Sequence, residues 1–270
     1  MYVVVDGIRY HLLLDGEGFP MILLHGFTGD SSTWTPFIDK WGRHSRLIAP
    51  DIIGHGNTDS PRELKHYHIE SMANNLKTIL DEVGVHEVDL LGYSMGGRLA
   101  LTFAMLFPKR VRKLILESTS PGLNTERERE LRRMNDAKLA HFIIDKGVES
   151  FVDYWEDIPL FQTMKGLPAS VQTKIRGARL RNSPQGLSNS LLGMGTGSQP
   201  SWWERLDELH NDVLLLTGQE DLKFCKIAEA MSARIKKAKW IVVENTGHAI
   251  HVEEPEKFGT IVSDFLSNQL

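Results

Sequence analysis

A chain of 270 residues with 41% hydrophobic and 24% charged content can bury one large core, so a second independent domain is not required. A formal charge of -4 offers no basic field for nucleic acid, and no run approaches the roughly 18 apolar residues that span a bilayer. The single cysteine excludes an intrachain disulfide, and the N-terminus lacks the basic head and apolar run of a signal peptide, so the expected location is cytoplasmic.

Residues 2–5 and 9–14 are β-rich runs joined through Asp6-Gly7, a strong hairpin signal, so an antiparallel edge is expected to open the chain. Short apolar runs without period-two alternation follow at residues 21–24, 47–49, 88–91, 114–116, 213–216 and 240–243. These predict strands covered on both faces. Helical patterns over 71–83, 95–107, 226–235 and 255–266 sit between most of them. The alternation predicts an α/β protein with a mostly parallel, doubly wound sheet. It breaks between Ser120 and about Leu206, where the chain turns helical, charged and aromatic. The expected division is therefore a core of residues 1–119 and 206–270 with an inserted helical cap over 120–205. Within the cap, 124–133 reads as a solvated helix and 192–200, rich in Gly, Ser and Thr, as a loop. Cys225 reads as a small buried helix residue.

The run 88–97 holds a strand, then Gly92-Tyr93-Ser94-Met95-Gly96, then a helix. Glycine two residues either side of the serine leaves room for the sharp turn that lifts a hydroxyl above the strand end. A serine is unreactive at neutral pH until a base takes its proton, so a histidine oriented by a carboxylate must follow. The strand–turn–helix resembles the α/β-hydrolase fold, whose chain order is serine, acid, histidine. Asp221 stands just past the run 213–216, and His248 just past 240–243, so both fall on loops at the sheet's carboxyl edge. Glu220 and His251 are the competing acid and imidazole, each expected to be a surface or supporting residue. The loop His25-Gly26-Phe27-Thr28-Gly29 is expected to supply the Phe27 amide to an oxyanion hole, with the Met95 amide as its second donor. His25 itself reads as a buried structural histidine.

Arg98 lies four residues beyond Ser94, on the same helical face and one turn up. A guanidinium there implies an anionic ligand or a buried acid partner. With the segment from Gly92 to Arg98, the stretches Pro121-Gly122-Leu123, Arg132, Tyr154-Trp155, Leu180-Arg181-Asn182 and Gly195-Thr196-Gly197-Ser198 resemble a known family. It comprises the 2-succinyl-6-hydroxy-2,4-cyclohexadiene-1-carboxylate synthases of menaquinone biosynthesis, and the similarity runs over about residues 25–254. The resemblance implies that Arg98, Arg132 and Arg181 bind substrate carboxylates, that Tyr93 and Trp155 shape the pocket, and that Lys223 adds charge. The plainer alternatives are surface charge for Arg132 and Arg181 and a cap-core aromatic for Trp155.

The implied activity is a lyase reaction. Pyruvate is eliminated from 2-succinyl-5-enolpyruvyl-6-hydroxy-3-cyclohexene-1-carboxylate by proton abstraction at a Ser94–His248–Asp221 triad. No cofactor is needed, and no ligand cluster has metal spacing. The runner-up is a carboxylesterase or carbon–carbon bond hydrolase using the same triad covalently, and a third reading is a non-catalytic receptor. The expected partner is a small anionic substrate, with no nucleic acid or membrane involved, and both monomer and homo-oligomer stay open.

Overall fold

The computed structural model describes residues 1–267. β1 (Tyr2–Val5) and β2 (Ile8–Asp15) form the antiparallel hairpin, with Val5 opposite Ile8 across the two-residue turn. β3 (Phe19–Leu24), β4 (Ser45–Pro50), β5 (Val88–Tyr93), β6 (Val111–Glu117), β7 (Asp212–Gly218) and β8 (Ala238–Val243) run parallel. The sheet order is β1-β2-β4-β3-β5-β6-β7-β8, with β2 antiparallel to β4. Each apolar run lies within one of these strands. Polar residues lengthen them where a partner lies across the sheet: in β6 the Arg112 guanidinium holds Asp89 of β5 at 2.9 Å.

Successive residues of β3 face opposite sides, Ile22 and Leu24 joining one apolar core and Met21 and Leu23 the other. On the first face pack α2 (Ile69–Glu82), α3 (Met95–Leu106) and α7 (Leu222–Ser232). The second face carries Trp41 of α1 (Ile38–Trp41), Ile250 of α8 (Ile250–Glu253) and Phe258 and Val262 of α9 (Pro255–Ser267). Fully burying each such side chain stabilises the fold by about 1.5–3 kcal/mol, which is why the apolar runs dictate the layers. α7 begins four residues before its apolar pattern, because the Asp221 carboxylate accepts from the Phe224 amide at 3.3 Å and caps it. Leu222, at 70% exposed, had hidden that start. Cys225 consequently sits in the first turn of α7, half-buried rather than buried.

Between β6 and β7 the described chain is helical. α4 (Glu126–Asp157) opens on a capping box in which Glu128 and Thr125 satisfy one another's amides, and it is interrupted at Gly147, whose φ is 80°. α5 (Ala169–Leu180) and α6 (Pro184–Met194) follow. Residues 192–194, expected in a loop, complete α6; the Gly, Ser and Thr that marked the loop belong to 195–200. Ala140 and Ile143 of α4 pack with Leu187 and Leu191 of α6 in a separate apolar cluster that also touches Phe27 and Trp155. Asn182, between α5 and α6, ties these helices to the core. Its Nδ2 donates to Thr28 O at 2.8 Å and its Oδ1 accepts from Gly56 N at 3.2 Å. Asn182→Ala leaves those buried groups unpaired and should cost about 1–3 kcal/mol in urea unfolding. A change below a few tenths of that would show the tie to be dispensable.

Two buried histidines brace the loops at the sheet's carboxyl edge. His25 Nδ1–H donates to Gly26 O at 2.8 Å while Nε2 accepts from Ile52 N at 2.9 Å. His55 lies 5.3 Å from that ring and donates from Nδ1 to Ile53 O. Burial, and then the nearby His25, push His55 from 6.5 down to about 3, so the fold favours its neutral form. That stability is present above pH 6.5 and is lost as pH falls toward 3. Between pH 7 and pH 5 the native protein should lose about 2 kcal/mol more than His55→Gln in urea titrations, and parallel losses would contradict this. No helix among the described residues is long and apolar enough to cross a membrane.

Candidate active site

Ser94 sits where β5 turns into α3, at φ 50° and ψ -106°, a strained conformation costing about 1–3 kcal/mol. Neighbours hold it there: Ser94 N donates to Glu117 O at 2.9 Å, and the Thr119 hydroxyl donates to Ser94 O at 2.8 Å. A Cβ at Gly92 would strike the Gly96 carbonyl, and one at Gly96 would strike the Leu24 carbonyl, so the turn closes only with glycine at both positions.

His248, on the loop after β8, places Nε2 3.0 Å from the Ser94 hydroxyl and Nδ1 2.6 Å from the Asp221 carboxylate. With Nδ1–H donating to Asp221, Nε2 presents a lone pair to the serine proton. Asp221 and His248 are 8% and 2% exposed, so little water competes for this line of hydrogen bonds. Glu220 is exposed; its backbone amide bonds Thr246 O, so it helps shape the histidine loop and takes no acid role. His251 is bound to buried Glu117 through Nδ1 at 2.9 Å, and its ring lies 4.5 Å from that of Tyr93. It forms a second, buried imidazole–carboxylate pair behind the first.

Two carboxylates that sequence reasoning passed over hold this region. Glu117 accepts from His251, and Glu253 accepts from Gly247 N at 2.8 Å and Ala249 N at 3.3 Å, on either side of His248. Neither stands in a motif, because each acts on a backbone that only the fold brings to it. Met95 is the first residue of α3, so its amide is one of the donors a helix leaves unpaired at its N-terminus. Phe27 lies on the loop after β3, where Gly29 N bonds Gly26 O at 3.0 Å and Thr28 adopts φ 69°.

Ser94 and His248 open into a cavity of about 750 Å³ whose walls include Phe27, Tyr93, Arg98, Arg132, Trp155 and Lys223. Arg98 donates through Nη1 to Met194 O and Gln199 Oε1; among the described residues no carboxylate hydrogen-bonds it, and Asp136 attracts it without contact. Burial, and then Arg132, push its guanidinium down to about 9. Arg132 Nε holds Asp136 at 2.8 Å, while burial and then Arg132 also lower the Lys223 ammonium. The cavity is thus a positive site with more cationic charge than its own carboxylate offsets. Tyr93 is half-buried as a residue, and the desolvation of its phenol raises that group well above its ordinary value. Trp155 packs its ring against Phe27 at 5.5 Å and Phe161 at 5.7 Å, and its buried indole N–H has no acceptor among the described residues.

Arg181 departs from expectation. It reaches away from the cavity to Asp30 at 3.0 Å and is 61% exposed. The turn after α5 directs it outward, whereas Arg179, two residues earlier, is buried. Among the described residues no group of three or more His, Cys, Asp or Glu is arranged to hold a metal.

A parallel sheet that carries a serine on a strand–helix turn, with acid and histidine on two later loops, defines the α/β-hydrolase class, and the family described as alpha/beta hydrolase fold matches residues 20–255. A Bacillus subtilis protein bearing the name 2-succinyl-6-hydroxy-2,4-cyclohexadiene-1-carboxylate synthase is 48% identical over 98% of this chain and 97% of its own. The chain belongs to that synthase family within the α/β hydrolases. A synthase of the same name from Klebsiella pneumoniae is 28% identical over 88% of this chain and 90% of its own. The structure of MenH from S. aureus superposes with a TM-score of 0.91 and 37% identity, covering 96% of this chain and 97% of that one.

Proposed function

We propose that this chain eliminates pyruvate from 2-succinyl-5-enolpyruvyl-6-hydroxy-3-cyclohexene-1-carboxylate, giving 2-succinyl-6-hydroxy-2,4-cyclohexadiene-1-carboxylate. The observation that carries the reading is that Ser94 and His248 open onto a space shared by Arg98, Arg132 and Lys223. A neutral ester has no use for that charge, whereas a tricarboxylate does.

Substrate and product differ by a hydrogen at ring carbon 2, beside the succinyl ketone, and by the substituent at carbon 5. His248, oriented by Asp221, takes the Ser94 proton as the serine oxygen takes the proton from carbon 2. Charge then develops on the ketone oxygen, toward the Phe27 and Met95 amides. The electrons move through the ring, the double bond at carbon 3 becomes double bonds at carbons 2 and 4, and the bond from carbon 5 to oxygen breaks. Enolpyruvate leaves, takes up the proton and is released as pyruvate. No water is consumed and no acyl-enzyme forms. Arg98, Arg132 and Lys223 hold carboxylates, with Tyr93 and Trp155 as walls, and Arg181 is left out of the site. A cytoplasmic setting suits a chain with one free thiol.

The test supplies the enolpyruvyl substrate and follows pyruvate beside a panel of activated esters. Pyruvate release with slow ester turnover is expected; fast ester turnover without pyruvate would reject the lyase.

A further inference from the structure

A second cavity, of about 420 Å³, adjoins the first, and Phe27, Tyr93 and Phe161 line both. The oxyanion loop, the chain just past His248, and α5 enclose it, so it begins immediately behind the catalytic groups. Its wall is largely apolar, with Val171, Ile175 and Val252 among its side chains, yet it also carries Arg179.

The Arg179 side chain is 9% exposed and makes one hydrogen bond, from Nη1 to Glu156 Oε1 at 3.2 Å. That carboxylate is shared with Arg176, which holds it more closely, at 2.8 Å. The guanidinium carbon stands 5.0 Å from the centre of the Phe161 ring. A guanidinium has five donors, so most of those on Arg179 find no acceptor among the described residues. A fork held along one edge is presented for a carboxylate along the other.

Four cations, Arg98, Arg132, Lys138 and Lys223, line the larger cavity against the one carboxylate of Asp136, and Arg179 and Lys174 line the smaller, with no carboxylate on its wall among the described residues. The ring product keeps two of the substrate's three carboxylates. The third carboxylate departs on the three-carbon fragment, and Arg179 lies just across the shared partition. We propose that the smaller cavity is a subsite for a short 2-oxo monocarboxylate, with Arg179 as its carboxylate anchor, and that it receives pyruvate as it leaves. The identity of that ligand rests on the lyase reading above; the binding site itself does not depend on turnover.

The experiment titrates pyruvate into the resting enzyme and follows methyl resonances by NMR. Val171, Ile175 and Val252 line only the smaller cavity, while Leu123, Leu139 and Ile227 line only the larger. Pyruvate should shift the first set saturably. Arg179→Gln should weaken that binding about tenfold, the scale of one hydrogen bond to a charged group, and Arg98→Gln should leave it unchanged. Arg179→Lys, which keeps the charge, should fall between them, so the reading survives if the glutamine variant folds poorly. Shifts confined to the larger cavity's methyls, or an affinity indifferent to Arg179, would overturn the proposal. Pyruvate is added rather than made here, so failure of this titration and failure of the turnover assay are separate results.

Discussion

Ser94→Ala should lower kcat by about 10²–10⁴-fold, the range of a lost general base, while KM stays nearly constant. The substitution leaves His248 paired with Asp221 and every cation of the cavity in place, so substrate still binds and only the proton acceptor is gone. Ser94→Cys sharpens the test, since a thiol is the better nucleophile but the weaker base. The cysteine variant should recover little pyruvate release. Recovery close to the native rate would mean that the residue attacks carbon rather than a proton. Steady-state pyruvate release by both variants decides the matter.

Arg98→Ala should lower kcat/KM about 10–150-fold, the scale of losing a hydrogen bond to a charged group worth 1.5–3 kcal/mol. The reason lies in the surroundings of this side chain. Its guanidinium is desolvated, repelled by Arg132 and, among the described residues, hydrogen-bonded to a main-chain carbonyl and an amide oxygen, while the Asp136 carboxylate that attracts it is already held by Arg132, so an arriving carboxylate adds counter-charge. Arg98→Lys should restore only part of the loss, because an ammonium cannot hold two acceptors side by side. An unchanged kcat/KM in Arg98→Ala would reduce the residue to a brace for Gln199 and Met194.

Parallel strands inside the sheet were legible because both their faces are covered, which leaves uninterrupted apolar runs such as Val213 to Leu216, whereas β8, expected to be covered likewise, lies at the sheet edge with Val242 39% exposed. The serine, acid and histidine were legible because each directly follows such a run, and the chain order of the fold assigns the roles. Direction around a helix was not legible. Arg179 and Arg181 differ by two positions, which on an α-helix is slightly more than a half-turn, and only packing against the core shows that the former turns inward and the latter outward to Asp30. The start of α7 was hidden for a related reason, since Asp221 fixes it by capping while exposed Leu222 breaks the apolar pattern. Glu117 and Glu253 carried no signal, because their partners lie on backbone or rings brought near by tertiary contact.

In the proposed mechanism Ser94 moves a proton and forms no bond to carbon. The most direct test is a single-turnover reaction, quenched at intervals, in which pyruvate, ring product and intact protein mass are measured together. Pyruvate and 2-succinyl-6-hydroxy-2,4-cyclohexadiene-1-carboxylate should appear in equal amounts, with the protein mass constant throughout. A transient mass increase located on Ser94, rising and falling at the rate of turnover, would contradict that mechanism.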